Sequence, residues 1–269
     1  KQRVRKIIEK YKIDSIIHLA ANLIIGEGQR KPKKYYKNNV LGTKKLLDAC
    51  KDTTIKNFIF SSTAAIYKEG QYKVSESSKI KPKSVYGKTK IEAEKIIKSF
   101  AKKNKINYGI LRYFNIAGSS LSGKVGLINK KNDHLFKNFA IEIMKKKPKL
   151  KIYGADYRTK DGSCIRDFIH VSDIAEIHYL ILEKINKLNV SKILNCGYNK
   201  GTSVIEVAKE FKKQSSKKVD IIYAKRRNDD LIKIIASNNR LKHFIKWRPK
   251  FNNLRKIVKS CIIWEKKLN

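Results

Sequence analysis

Residues 57–67 read NFIFSSTAAIY, and residues 84–90 read SVYGKTK. The apolar run at 57–61 reads as a strand. Residues 68–84 are polar and contain Pro82, which predicts a loop. Residues 86–103 then read as a helix. A spacing of four places Tyr86 and Lys90 on one face of that helix. A lysine ammonium beside a phenol favours the phenolate and lowers its pKa from a reference near 10. With a hydroxyl from Thr63 or a neighbouring serine, the group suits removal of a proton from an alcohol while a hydride leaves its carbon. The spacing alone is weak evidence. The chain has 13 Tyr, and with roughly a fifth of positions lysine, chance yields about two or three such pairs. One occurs, and its bland reading is a solvated helix face.

The surrounding chain alternates helix and strand signals. Residues 4–12 read as the end of an amphipathic helix, and 15–20 as a short apolar run typical of a buried parallel strand. A long helix is expected over about 33–51, with Pro32 near its start, and another strand at 108–112. This order argues for a doubly wound parallel α/β sheet with right-handed crossovers. After Gly118 the text changes to a loop rich in Ser, Gly, Lys and Asn. A helix near 135–146 and a strand near 150–153 follow. The expected division is residues 1–118 as the first domain and 119–269 as a smaller one interleaved with it.

The chain has 269 residues, 41% of them hydrophobic, enough for a substantial core. No uninterrupted apolar stretch is long enough to span a membrane. The four cysteines, Cys50, Cys164, Cys196 and Cys261, form no C-x-x-C pair and read as buried free thiols in a reducing cytoplasm. His170, Asp173 and His178 could tempt a metal assignment, but the spacing fits no zinc pattern, and no metal is expected. Net charge is +40, from 63 basic and 23 acidic residues. The excess is mainly lysine spread over nearly every predicted helix, whereas base readers favour arginine, so no specific nucleic acid is expected. The positive field would still attract an anionic nucleotide.

Together with IIHLAA at 16–21, YYKNNVLGT at 35–43, LRYFNIAG at 111–118, YGADYRTKDGSCIRDFIHVSDIA at 153–175, AKRRNDD at 224–230 and WRPK at 247–250, the two opening segments resemble the extended short-chain dehydrogenase/reductases, and within them the UDP-hexose 4-epimerase branch. The resemblance runs from about Asp14 to the end. It implies a Rossmann-like NAD-binding domain, a substrate domain for a nucleotide sugar, and reversible inversion at C4 of a UDP-hexose, UDP-galactose to UDP-glucose, through a 4-keto sugar. The family opens with a glycine-rich turn whose amides hold the dinucleotide pyrophosphate. No G-x-G-x-x-G occurs here, so the resemblance implies a domain lacking its first strands.

By the same resemblance Tyr86 is the catalytic base, Lys90 its partner and a ligand of the nicotinamide ribose, and Thr63 the bridging hydroxyl. Thr63 also reads as a strand-end cap. Leu19, Ala20, Ala21, Asn38, Ser61 and Tyr113 are implied on the cofactor side, with Asn38 alternatively a helix–strand bridge and Tyr113 alternatively core. Asn115, Arg166 and Arg227 are implied at the diphosphate, where guanidinium meets phosphate oxygens in pairs. Asp230 falls at the uridine ribose, and Tyr153 either beside the uracil or in the core. His134 and Leu135 begin a helix beside the nucleotide. The resemblance also implies a homodimer through the helices at 33–51 and 86–103. Open alternatives are a related epimerase acting on a UDP-N-acetylhexosamine or UDP-glucuronate, an inactive fragment, or an RNA-adhesive protein on a degenerate enzyme fold.

Overall fold

The computed structural model describes residues 1–129, 134–227 and 231–268. Helices and strands follow in the order α1 (Gln2–Lys10), β1 (Ser15–His18), α2 (Ile25–Arg30), α3 (Pro32–Tyr35), α4 (Gly42–Cys50), β2 (Asn57–Thr63), β3 (Lys73–Val74), α5 (Val85–Asn104), β4 (Asn107–Tyr113), β5 (Asn115–Ala117) and α6 (Leu135–Met144). The second half adds β6 (Lys149–Tyr153), β7 (Ile165–Arg166), β8 (Phe168–His170), α7 (Val171–Leu188), β9 (Lys192–Cys196), β10 (Thr202–Ser203), α8 (Val204–Gln214), β11 (Asp220–Ala224), β12 (Lys233–Ala236), α9 (Asn239–Ile245) and α10 (Leu254–Leu268).

The central sheet has the order β1-β2-β4-β9, and every pairing in it is parallel. Alternation along the strands explains why helices cover both faces. Phe58, Phe60 and Ile110 point into one cluster with Leu47 of α4 and Ala93 and Ile97 of α5. Ile59, Leu111 and Leu194 point into the other, against Ile177, Ile181 and Ile185 of α7. Those three isoleucines lie one turn apart, so one stripe of α7 is buried, at about 1.5–3 kcal/mol for each side chain. Gly109 permits this approach: a Cβ there would meet Ile59 Cδ1 at 2.7 Å and Ile181 Cγ2 at 3.0 Å. Among the described residues β1 is an edge strand, and Ile17 on it is exposed.

Helix α5 starts and ends where its sequence requires. The Ser84 side chain accepts the Gly87 N–H at 3.0 Å, and Lys105 closes the helix in the left-handed region at φ 54°. The long helix expected over 33–51 is corrected. It is broken into α3, a π-helical turn at Tyr36–Leu41, and α4. The π turn lets Asn39 face inward, where its side chain makes three bonds to two other segments, at Asn22 and at Thr89.

Chain segments cross between the halves. Strand β9 returns to the central sheet beside β4, and β12 pairs with β3 inside a second sheet of order β10-β7-β12-β3. Strands β11 and β6 form a separate parallel pair, as do β5 and β8. All four cysteines are buried and free. Among the described residues no helix is long and apolar enough to cross a membrane.

Candidate active site

Parallel pairing sets Thr63 opposite Tyr113, and Tyr113 opposite Cys196, along the carboxyl edge of the central sheet. Open α/β sheets bind ligands at that edge. The first turn of α5 brings Tyr86 there, and the Tyr86 and Thr63 side chains hydrogen-bond. Thr63 Oγ1 also accepts the Ala65 N–H at 3.2 Å, so the cap and the bridging hydroxyl are one side chain.

Lys90, one turn on, is 2% exposed. Its Nζ donates to the Ser61 carbonyl at 2.6 Å, and lies 4.5 Å from the Phe60 ring centre and 6.0 Å from that of Tyr86. Burial pulls the Lys90 pKa down to about 8, against the opposing pull of the Glu94 carboxylate. Burial also pushes Tyr86 up to about 12, partly offset by its bond to Thr63. The expected lowering of the phenol is therefore corrected. The ammonium is spent on a backbone carbonyl, and without ligand the phenol is neutral at pH 7.

Residues that the sequence reading passed over hold this group in place. Glu94 follows Lys90 by one turn and is fully buried. It accepts two bonds from Arg112, Nε at 3.0 Å and Nη2 at 2.8 Å, and one from the Ser62 hydroxyl. Arg112 Nη1 also reaches the Tyr67 hydroxyl at 3.1 Å. His18 lies between the rings of Phe58 and Phe60 and bonds Thr43 Oγ1 at 3.0 Å. Burial, then the Lys90 charge, lowers its pKa to about 4. Asn39 donates to the Asn22 carbonyl at 2.9 Å and to Thr89 Oγ1 at 3.1 Å, while its oxygen accepts the Asn22 N–H at 2.8 Å. It pins the segment after β1 to α5. The bridge considered for Asn38 thus belongs to Asn39. Asn38 itself is exposed, donating to Asn39 Oδ1 at 3.0 Å.

On the cofactor side, Leu19 and Ala20 are exposed and Ala21 half-buried in the coil after β1, and Ser61 is buried beneath Lys90. The implied nucleotide residues lie on other elements. Asn115 is exposed on β5, and His134 and Leu135 open α6. Tyr153 ends β6, and the Arg227 guanidinium covers its ring at 4.2 Å. Arg166 Nη1 donates to the carbonyls of Ile165 at 3.0 Å and Leu231 at 2.6 Å. In this arrangement both arginines have partners other than phosphate. Asp230 lies outside the described residues. His170, Asp173 and His178 make separate bonds: His170 to Ser260 and Ser172, Asp173 to the N–H groups of Lys250 and Phe251, His178 to Tyr113.

Residues 1–197 match the NAD dependent epimerase/dehydratase family. The chain belongs to that family. It is 36% identical over 266 residues to a UDP-glucose 4-epimerase of Halalkalibacterium halodurans, covering 98% of this chain and 80% of the relative. The crystal structure of UDP-glucose 4-epimerase from Brucella ovis in complex with NAD superposes with TM-score 0.92 at 32% identity, over 97% of this chain and 81% of that one. The UDP-Glc/GlcNAc 4-epimerase from Campylobacter jejuni gives 0.84 at 38%, over 99% and 81%. In this family member Tyr86 and Thr63 stand at the carboxyl edge of the central sheet, with Lys90 one helical turn beyond Tyr86.

Proposed function

We propose that this chain catalyses the reversible, NAD-dependent inversion of C4 in a UDP-hexose, interconverting UDP-galactose and UDP-glucose. The observation that carries it is the Thr63–Tyr86–Lys90 group at the carboxyl edge of the parallel sheet. The names of the relatives support the same substrate.

The residues present fit the nicotinamide end of the cofactor. Leu19 and Ala20 form an open apolar shelf, 59% exposed at Leu19, and the Lys90 ammonium and Asn38 amide supply donors for a ribose. When bound, NAD would supply the acceptor and donor of hydride at C4. Tyr86 takes the C4 hydroxyl proton, with Thr63 bridging phenol and sugar. A phenol near 12 costs about 7 kcal/mol to ionise at pH 7, at 1.36 kcal/mol per pH unit. That figure already includes the Thr63 bond, and a bound cationic cofactor would reduce it further. Once the keto sugar has turned and C4 takes its hydride back on the opposite face, Tyr86 returns the proton to the C4 oxygen.

Turning requires the diphosphate to be held throughout, which binds the intermediate as firmly as the substrate. Asn115, Arg166 and Arg227 are assigned to that hold, Tyr153 to the uracil, and His134, Leu135 and Asp230 to the nucleotide. Release of Arg227 from the Tyr153 face would free both for ligand. The division at residue 118 into cofactor and substrate domains, the homodimer and a cytoplasmic setting belong to the same reading. The pairing of β12 with β3 suits interleaved domains, and the buried free thiols suit a reducing compartment.

The test is turnover of UDP-galactose with NAD and no added reductant, followed by proton NMR. Wild type should form UDP-glucose, and Tyr86→Phe should bind UDP nearly as well yet stop turnover. A folded, NAD-loaded wild type without turnover, or an active Tyr86→Phe, would overturn the proposal.

A further inference from the structure

The hydroxyl of Tyr113 hydrogen-bonds Nε2 of His178, a buried residue in the second turn of α7. The two rings meet edge-on, with centres 5.6 Å apart. The other ring nitrogen of His178, Nδ1, lies 2.7 Å from the Ile174 carbonyl oxygen. A carbonyl only accepts, so Nδ1 carries the hydrogen. In the neutral ring Nε2 is then an acceptor, and Tyr113 gives its single proton to it. Burial favours that neutral ring by lowering the His178 pKa. A phenol whose proton is committed in this way presents only lone pairs elsewhere. Tyr113 stands at the carboxyl edge of the sheet, opposite Thr63 and within electrostatic reach of Tyr86.

We propose that His178 is a positioning residue that, through a fixed tautomer, makes Tyr113 a hydrogen-bond acceptor toward the crevice and so selects an N–H or O–H donor on the bound cofactor. The identity of the ligand rests on the proposed function; the tautomer does not. Helix α7 thereby sets the polarity of the crevice wall from behind the sheet.

Two measurements test this. In the ligand-free chain labelled with 15N-histidine, two-bond 15N–1H spectra at pH 7 should show His178, assigned by loss of its signals in His178→Gln, with hydrogen on Nδ1 alone. Hydrogen on Nε2 would overturn the proposal. The second is a double-mutant cycle on NAD affinity by calorimetry. His178→Phe and Tyr113→Phe should each weaken binding about fivefold, the value of one oriented hydrogen bond. The double variant should be no weaker than about twofold beyond either single one, because both remove the same interaction. Additive losses, or a His178→Phe affinity equal to wild type, would overturn the proposal. His178→Gln keeps a side-chain acceptor and should recover most of the affinity, which separates polarity from packing. Should wild type fail to bind NAD, the proposed function falls while the tautomer still decides the role of His178.

Discussion

Lys90→Met isolates the energetic cost of placing an ammonium in the site. Lys90 is 2% exposed and its pKa falls from 10.5 to about 8, chiefly through burial. The unfolded chain therefore holds this proton more tightly than the native one. The resulting penalty is fully present below about pH 8 and disappears as pH rises through 10.5. At 1.36 kcal/mol per pH unit it amounts to about 3 kcal/mol at pH 7 and about 1 kcal/mol at pH 10. Methionine carries no such penalty, although it forfeits the bond to the Ser61 carbonyl. That forfeit is the same at both pH values. Urea unfolding of both proteins at pH 7 and pH 10 removes it by subtraction. The stability of Lys90→Met relative to wild type should fall by about 2 kcal/mol between pH 7 and pH 10, and its turnover should be absent at either pH. A relative stability independent of pH would refute the idea that burial, and not a carboxylate partner, governs this lysine.

Glu94→Gln leaves the buried Arg112 guanidinium without its counter-charge. Calorimetry should show a loss of about 3–5 kcal/mol, and the Lys90 pKa should drop further because the Glu94 charge that raises it is gone. Gly87→Ala puts a Cβ 2.5 Å from the Ala65 carbonyl oxygen and 2.9 Å from Pro82 Cβ. Backbone cannot yield cheaply there, so the first turn of α5 must shift with Tyr86, and kcat should fall about 100-fold with little change in UDP affinity. Asn39→Ala should free the segment at Asn22. Amide exchange at Asn22 should accelerate at least tenfold while exchange in the core of α7 stays unchanged, as expected for loss of a local pin worth about 1.4 kcal/mol or more.

The sequence was informative where structure is local. Apolar runs at 57–61 and 108–112 became β2 and β4, and Ser84 began α5 three residues before the glycine whose N–H it caps. The spacing of Tyr86 and Lys90 put both on one face of α5, at the sheet edge. Long-range pairings were not legible. Nothing near residue 90 says that its ammonium will meet the Ser61 carbonyl, 29 positions earlier, or that burial will raise the phenol. The partners Glu94 and Arg112 lie on a helix and the strand that follows it, and meet only because that strand packs back against the helix. The π turn that exchanges the roles of Asn38 and Asn39 changes helical phase at one turn, which a 3.6-residue period cannot reveal. The resemblance implies Arg166 and Arg227 at the diphosphate; that in this chain they meet backbone carbonyls, one of them that of Leu231, and the Tyr153 ring was not legible because Leu231 and Tyr153 are distant in sequence.

The central claim, that Tyr86 and its neighbours invert C4 by oxidation and return of the same hydrogen, is tested most directly with UDP-galactose deuterated at C4 and supplied with NAD in ordinary water. The expected product is UDP-glucose with deuterium kept at C4 and no hydrogen from solvent there. Product carrying solvent hydrogen at C4 would contradict the account.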